Sequence, residues 1–81
     1  MERMIRAREL CRLRARSKDR HYCDIRAGLF TKPVAIGGRA VAWPESECQT
    51  IQNATVAGAT TAELRELVTR LHAERTARVR G

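Results

Sequence analysis

Apolar residues recur along this chain with two different periods, and the change of period divides it into elements. Ala7, Leu10 and Cys11 fall at i, i+3 and i+4 with Leu13 beside them, which predicts a short helix over 7–13 with Glu9 near its positive end. Arg14-Ala15-Arg16 reads as a turn, and Ser17 as an N-cap whose hydroxyl accepts a bond from an amide the next helix leaves unpaired. That second helix is predicted from Lys18 to about Ala27, closed by Gly28, a residue that tolerates the positive φ common after a helix end. On it His21, Ile25 and Gly28 share one side, while Lys18, Tyr22 and Arg26 share another. Ile25 is the natural core plug, and His21 beside it reads as a packed, hydrogen-bonded histidine.

The period then shortens to two. Lys32-Pro33 favours an extended start, Val34 and Ile36 alternate with Ala35, Gly37-Gly38 suits a two-residue turn, and Arg39-Ala40-Val41-Ala42-Trp43 returns. A two-stranded ribbon is marginal in water, so Leu29, Phe30, Val41 and Trp43 are expected to seal it to the helices. A third helix is predicted over 44–57, with Pro44 in its first turn, Glu45 and Glu47 at its positive end, Cys48, Ile51 and Thr55 inside, and Gly58 as its stop. The fourth element is the most sharply written: Thr60-x-x-Glu63 forms a capping box, and Leu64, Leu67, Val68 and Leu71 make a continuous apolar stripe. Burying those four side chains contributes on the order of 6 to 10 kcal/mol before entropy is deducted. The stripe therefore pairs with the third helix, as an antiparallel hairpin, or with a second copy of the chain in a homodimer.

The fold class expected is mostly α with a small two-stranded β-hairpin. A helix pair followed by a hairpin is the layout of a winged helix-turn-helix, here over residues 1–57, with a C-terminal helix over 58–81 completing a helical hairpin. At 81 residues the chain suits one small domain with little room for an enclosed active site.

Charge gives this layout a direction. Residues 1–20 carry +5, residues 21–43 carry +2 and residues 44–81 are neutral, so the whole excess of +7 lies in the first half. A basic half joined to a neutral half suggests one face built to neutralise phosphates. A solvated arm accounts for residues 1–6, but hardly for Arg14, Arg16, Lys18 and Arg20 around a helix junction. The candidate DNA-binding residues are Arg14, Arg16, Ser17, Lys18, Arg20, Tyr22 and Arg26 at the corner and on the second helix, with Lys32 and Arg39 on the ribbon. Arg20 and Arg26 suit bidentate contacts to phosphate or guanine, Lys18 a phosphate, and Tyr22 a hydroxyl contact to the backbone. Arg39, beside the turn, reads equally as a phosphate or minor-groove contact and as an anchor to a carboxylate.

Other classes fare less well. No nucleophile–base pair, paired histidine or phosphate loop supports an enzyme, and Gly37-Gly38 is explained by the hairpin tip. Cys11, Cys23 and Cys48 lack metal spacing with each other or with His21 and His72, so reduced thiols are expected and no cofactor or metal. One Phe, one Trp and one Tyr give no platform for unstacked RNA bases. With no long apolar run and eight basic residues among the first twenty, a cytoplasmic protein is expected, without membrane or small-molecule partners. A protein-interaction module, such as an antitoxin or adaptor binding an acidic partner, is the competing reading, because the same charges would serve it.

The order of residues resembles a known family. Arg8-Glu9-Leu10-Cys11, Ser17 with Lys18, His21-Tyr22, Ile25, Gly28-Leu29-Phe30, Lys32-Pro33-Val34, Ile36-Gly37, Arg39-Ala40-Val41-Ala42-Trp43 and Glu45-Ser46-Glu47 are together similar to the AlpA family of phage regulatory proteins, over about residues 3–57. The resemblance implies a small DNA-binding regulator of a prophage or mobile element, related in architecture to excisionases and the MerR-type winged helix. It places the recognition helix at Ser17 to Arg26 in the major groove and the wing at Lys32 to Arg39 on flanking backbone or minor groove. It equally admits an excisionase-like architectural factor that bends DNA. This sequence departs from the family at Ala15, where a Gly is usual in the turn, at Cys23 and Asp24, where bulkier or basic residues are frequent, and at Ala42, where Gly is frequent.

Overall fold

A computed structural model describes the backbone of residues 1–80 and the side chains of residues 1–77. Its elements are β1 (Met4–Arg6), α1 (Ala7–Arg14), α2 (Lys18–Arg26), β2 (Val34–Gly37), β3 (Ala40–Pro44), α3 (Glu45–Val56) and α4 (Thr61–Arg80). The architecture is the mostly helical, winged-helix-like one expected from the sequence, with one addition. The ribbon has a third strand, in the antiparallel order β1-β3-β2.

That strand replaces the solvated arm expected at residues 1–6. Met4, Ile5 and Arg6 pair with Pro44, Trp43 and Ala42, and Ile5 is buried in the core. Three residues show no readable alternation, so the strand exists because β3 offers it an edge and the core a place for Ile5. The segment before it is also tied down. Glu45 N–H donates to the Arg3 carbonyl, Ser46 N–H donates to a Glu2 carboxylate oxygen, and Arg3 forms ion pairs with Glu9 and Glu45. The open amides at the start of α3 are thus capped from the chain's own beginning.

Helix ends follow local chemistry closely. The Ser17 hydroxyl accepts from Arg20 N–H at 3.2 Å. In the capping box, Thr60 N–H donates to Glu63 at 2.8 Å and Glu63 N–H to the Thr60 hydroxyl at 3.1 Å. Three helices stop with the same pair of reversed bonds. Leu29 and Gly28 bond back to Asp24 and Ile25, Ala59 and Gly58 to Ala54 and Thr55, and Arg16 and Ala15 to Cys11 and Arg12. In each, the middle residue is left-handed, with φ of 78° at Gly28, 86° at Gly58 and 56° at Ala15. Ala15, standing where the resembling family carries Gly, adopts the conformation that glycine would and bears its steric cost.

The core is one cluster of Ile5, Leu10, Phe30, Trp43, Cys48, Ile51, Leu67, Val68 and Leu71. Three of the four stripe residues of α4 are buried in it, and Leu64 packs at its margin. In the structure α4 lays this stripe against the chain's own core. Trp43 is fully buried and its indole N–H donates to the Thr31 carbonyl at 2.8 Å, fastening the wing to the link that precedes it. Ala42, paired with β1 on one side and β2 on the other, is fully buried as well.

Candidate nucleic-acid interface

The α1–α2 corner is held by a network centred on a buried carboxylate. Asp24 on α2 accepts from Arg14 at 2.9 Å through Nη2, and from Arg16 at 2.8 and 2.9 Å through Nε and Nη2. Burial alone would raise the carboxyl pKa. The hydrogen bonds from Arg16 and Arg14 outweigh it and hold the group below the usual carboxylate range. The same bonds raise the pKa of Arg16. Arg14 also lies over the Phe30 ring, 4.3 Å from its centroid, and approaches His21 Nδ1 at 2.6 Å.

His21 is the hub beneath this network. It is fully buried and meets Phe30, Trp43 and Tyr22 edge-on, with ring centroids 5.1, 4.9 and 5.5 Å away. A guanidinium only donates, so Nδ1 must accept and the ring proton sits on Nε2, which has no hydrogen-bond partner among the described residues. Burial first, then the charge of Arg14, push the pKa of His21 down to about 4. The imidazole is neutral and structural, as the sequence reading expected of a packed histidine.

The candidate residues thus fall into two groups. Arg14 and Arg16 spend guanidinium bonds on Asp24, Ser17 caps α2, and Tyr22 is half-buried with its ring against His21 and Trp43. Lys18, Arg20 and Arg26 are exposed on α2, Lys32 is exposed before β2, and Arg39 is exposed at the hairpin turn. The outward face of α2 comprises Asp19, Arg20, Cys23 and Arg26, with Lys18 at its rim. Arg26 Nη2 contacts Cys23 Sγ at 3.2 Å. Of the two departures from the family that lie on α2, Cys23 is the one that faces out and Asp24 the one that turns in.

Sequence reasoning passed over three further cations. Arg6, Arg8 and Arg12 line one groove along α1, and Arg8 lines a second with Cys11 and Lys18 that runs to the start of α2. Arg8 and Arg12 stand four apart, the spacing that puts two side chains on one helix face, and this signal was available in the sequence. Among the described residues, Arg6, Arg8, Arg12, Lys18, Arg20, Arg26 and Arg39 form no salt bridge. An outer strip of such cations along α1 and α2 can accept phosphates without first breaking an ion pair.

The thiols are free: Cys48 is buried, Cys11 half-buried and Cys23 exposed. Burial pushes the Cys48 thiol up to about 12, so it stays protonated and unreactive. No described helix is long and apolar enough to cross a membrane.

A corner of two helices, an antiparallel wing and an outer basic strip define a small winged helix-turn-helix-like protein. The chain belongs to the family of the prophage CP4-57 regulatory protein (AlpA), whose family model matches residues 3–55. The match takes in β1 through nearly all of α3 and leaves α4 outside it. No curated protein and no solved structure matches the chain.

Proposed function

We propose that the protein is a sequence-specific, double-stranded-DNA-binding regulator of a prophage or mobile element. In this reading α2 enters the major groove through Arg20, Cys23 and Arg26. Lys18 with Arg8 and Arg12 meets backbone phosphates beside it, and Arg39 and Lys32 on the wing meet flanking backbone or minor groove. The observation that carries the reading is the division of the cations. Those at the base of the corner share the single carboxylate of Asp24 and fix the helix pair, while those on the outer strip are exposed and form no salt bridge among the described residues. Arg14, Arg16, Ser17 and Tyr22 then serve the interface chiefly by holding α2 in place.

The test is fluorescence anisotropy of labelled duplexes across a salt series, using fragments from a recombination or promoter region and a mixed-sequence control. The reading expects preference for one fragment and a steep decline of affinity with salt. Lys18→Ala and Arg20→Ala should weaken binding with the melting temperature unchanged. Binding no tighter to any fragment than that of a similarly basic unrelated protein would sink it. An adaptor would instead yield a stoichiometric acidic protein partner and show no preference among the duplexes.

A further inference from the structure

The helix outside the family match makes an unusual set of contacts. Three side chains along α4 reach backbone groups of the link that joins α2 to β2. Arg65 Nε donates to the Ala27 carbonyl at 3.0 Å, and its stem crosses Gly28, where an added Cβ would lie 3.6 Å from Arg65 Cγ. Lys32 N–H donates to His72 Nε2 at 3.0 Å. Arg75 Nη2 donates to the Lys32 carbonyl at 2.8 Å, while its Nε donates to Glu47 at 2.7 Å. The Glu47 side chain is 1% exposed, so α3 supplies a buried anchor for the arginine that grips the link.

Ala27 immediately follows α2, and Lys32 stands two residues before β2. The two ends of the link are therefore held by one rod, about 15 Å long between residues 65 and 75 at the helical rise. A cation on the last carbonyls of α2 also complements the negative end of that helix. By contrast, the hairpin tip from Ala35 to Arg39 is exposed. The angle between α2 and the wing thus depends on contacts at the base of the wing.

We propose that α4 is a strut that sets the pose of the wing against the recognition helix, with Arg65, His72 and Arg75 as positioning residues acting through the backbone of residues 27–32. The proposal rests on the DNA reading above and adds to it a role for a helix that need not touch DNA. Its physical basis is preorganisation: two contacts on one rigid frame reinforce each other, whereas a loose wing loses ordering entropy when it docks. His72 must be neutral to accept from Lys32. Arg75 on its own helix, Glu47 from α3, Lys32 on the link and the groove residues Arg26 and Arg65 surround it. Burial first, then Arg75, lowers its pKa, with Glu47 opposing. Acid then loosens the strut by protonating the acceptor.

The experiment uses the full chain and the tightest duplex recovered from a random pool. Affinities are measured for wild type, Arg39→Ala, Arg65→Ala, the double variant, and Arg65→Lys with and without Arg39→Ala. With the strut intact, Arg39→Ala should weaken binding about fivefold to tenfold, and in the Arg65→Ala background less than about twofold, with Arg65→Lys restoring the larger effect. An equal effect of Arg39→Ala in every background overturns the strut. In parallel, ¹⁵N relaxation and residual dipolar couplings of the free protein should show β2 and β3 reorienting relative to α2 in Arg65→Ala and in His72→Ala, with α1 and α2 unchanged. An unaltered wing orientation in both variants overturns it independently. If wild type binds no duplex, the DNA reading fails while the free-protein measurement still decides the strut.

Discussion

The α1–α2 corner and the tip of the wing are both marked by arginine, yet they use it in opposite ways. At the corner Arg14 and Arg16 converge on a buried carboxylate, above a histidine packed among three aromatic rings. At the tip Arg39 stands exposed beside Gly37 and Gly38, whose positive φ angles turn the strand. A paired, half-buried guanidinium is strongly tied to stability, while an exposed one adds little to it and is free to bind. The contrast teaches that basic residues a few positions apart divide between frame and contact according to whether a carboxylate lies within reach.

The contrast can be broken most forcefully at the corner. Asp24→Ala leaves two guanidinium groups partly buried without an acceptor and should cost about 3 kcal/mol or more, because removing one partner of a buried pair strands the other charge. Urea denaturation checks this. A loss under about 1 kcal/mol would show that the network is ornamental.

The next effect is one of pH. His21 is held near 4 in the fold against an ordinary value of 6.5, so between those values the unfolded chain binds the extra proton. Its contribution is complete above the unfolded value and is lost as pH falls toward the folded one. From pH 7 to pH 5 the protein should lose about 2 kcal/mol through this residue. His72, also lowered, adds in the same direction. Asp24 stays ionised over this range, since its own pKa is lowered and its contribution disappears only in stronger acid. Urea titrations of wild type and His21→Phe at the two pH values should show the slope in the first and a much reduced slope in the second.

A smaller effect comes from the turn itself. Ala15→Gly relieves the left-handed conformation at φ 56° and should raise stability by about 1 kcal/mol, visible as a higher melting temperature. Smallest is Arg39→Ala, which should alter stability by less than about 0.5 kcal/mol, as expected for an exposed side chain, while weakening duplex binding. A melting curve that moved as far as that of Asp24→Ala would erase the distinction between tip and corner.

Much of this was legible along the chain, and the legible parts share a scale. Ser17, the Thr60–Glu63 box, and Gly28 and Gly58 act on groups within one helical turn, so neighbours in sequence suffice to identify them. The stripe at Leu64, Leu67, Val68 and Leu71 announced burial by its period alone. The third strand was not legible, since Met4–Arg6 has no pattern of its own and borrows its form from β3. Nor was the fate of the arginines: nothing local distinguishes Arg16, which pairs with Asp24, from Arg20, which does not.

By itself, then, the sequence determined helix limits, the hairpin, the buried stripe and the concentration of positive charge in the first half, all written in contacts between near neighbours or in composition. Only the tertiary structure decided which cations are spent and which are free. Arg14 meets Asp24 ten residues away, Arg75 meets Glu47 across 28, and Lys32 meets His72 across 40. A long flexible side chain finds its partner only after the packed backbone has brought a carboxylate or carbonyl within hydrogen-bonding reach, and no spacing along the chain encodes that approach.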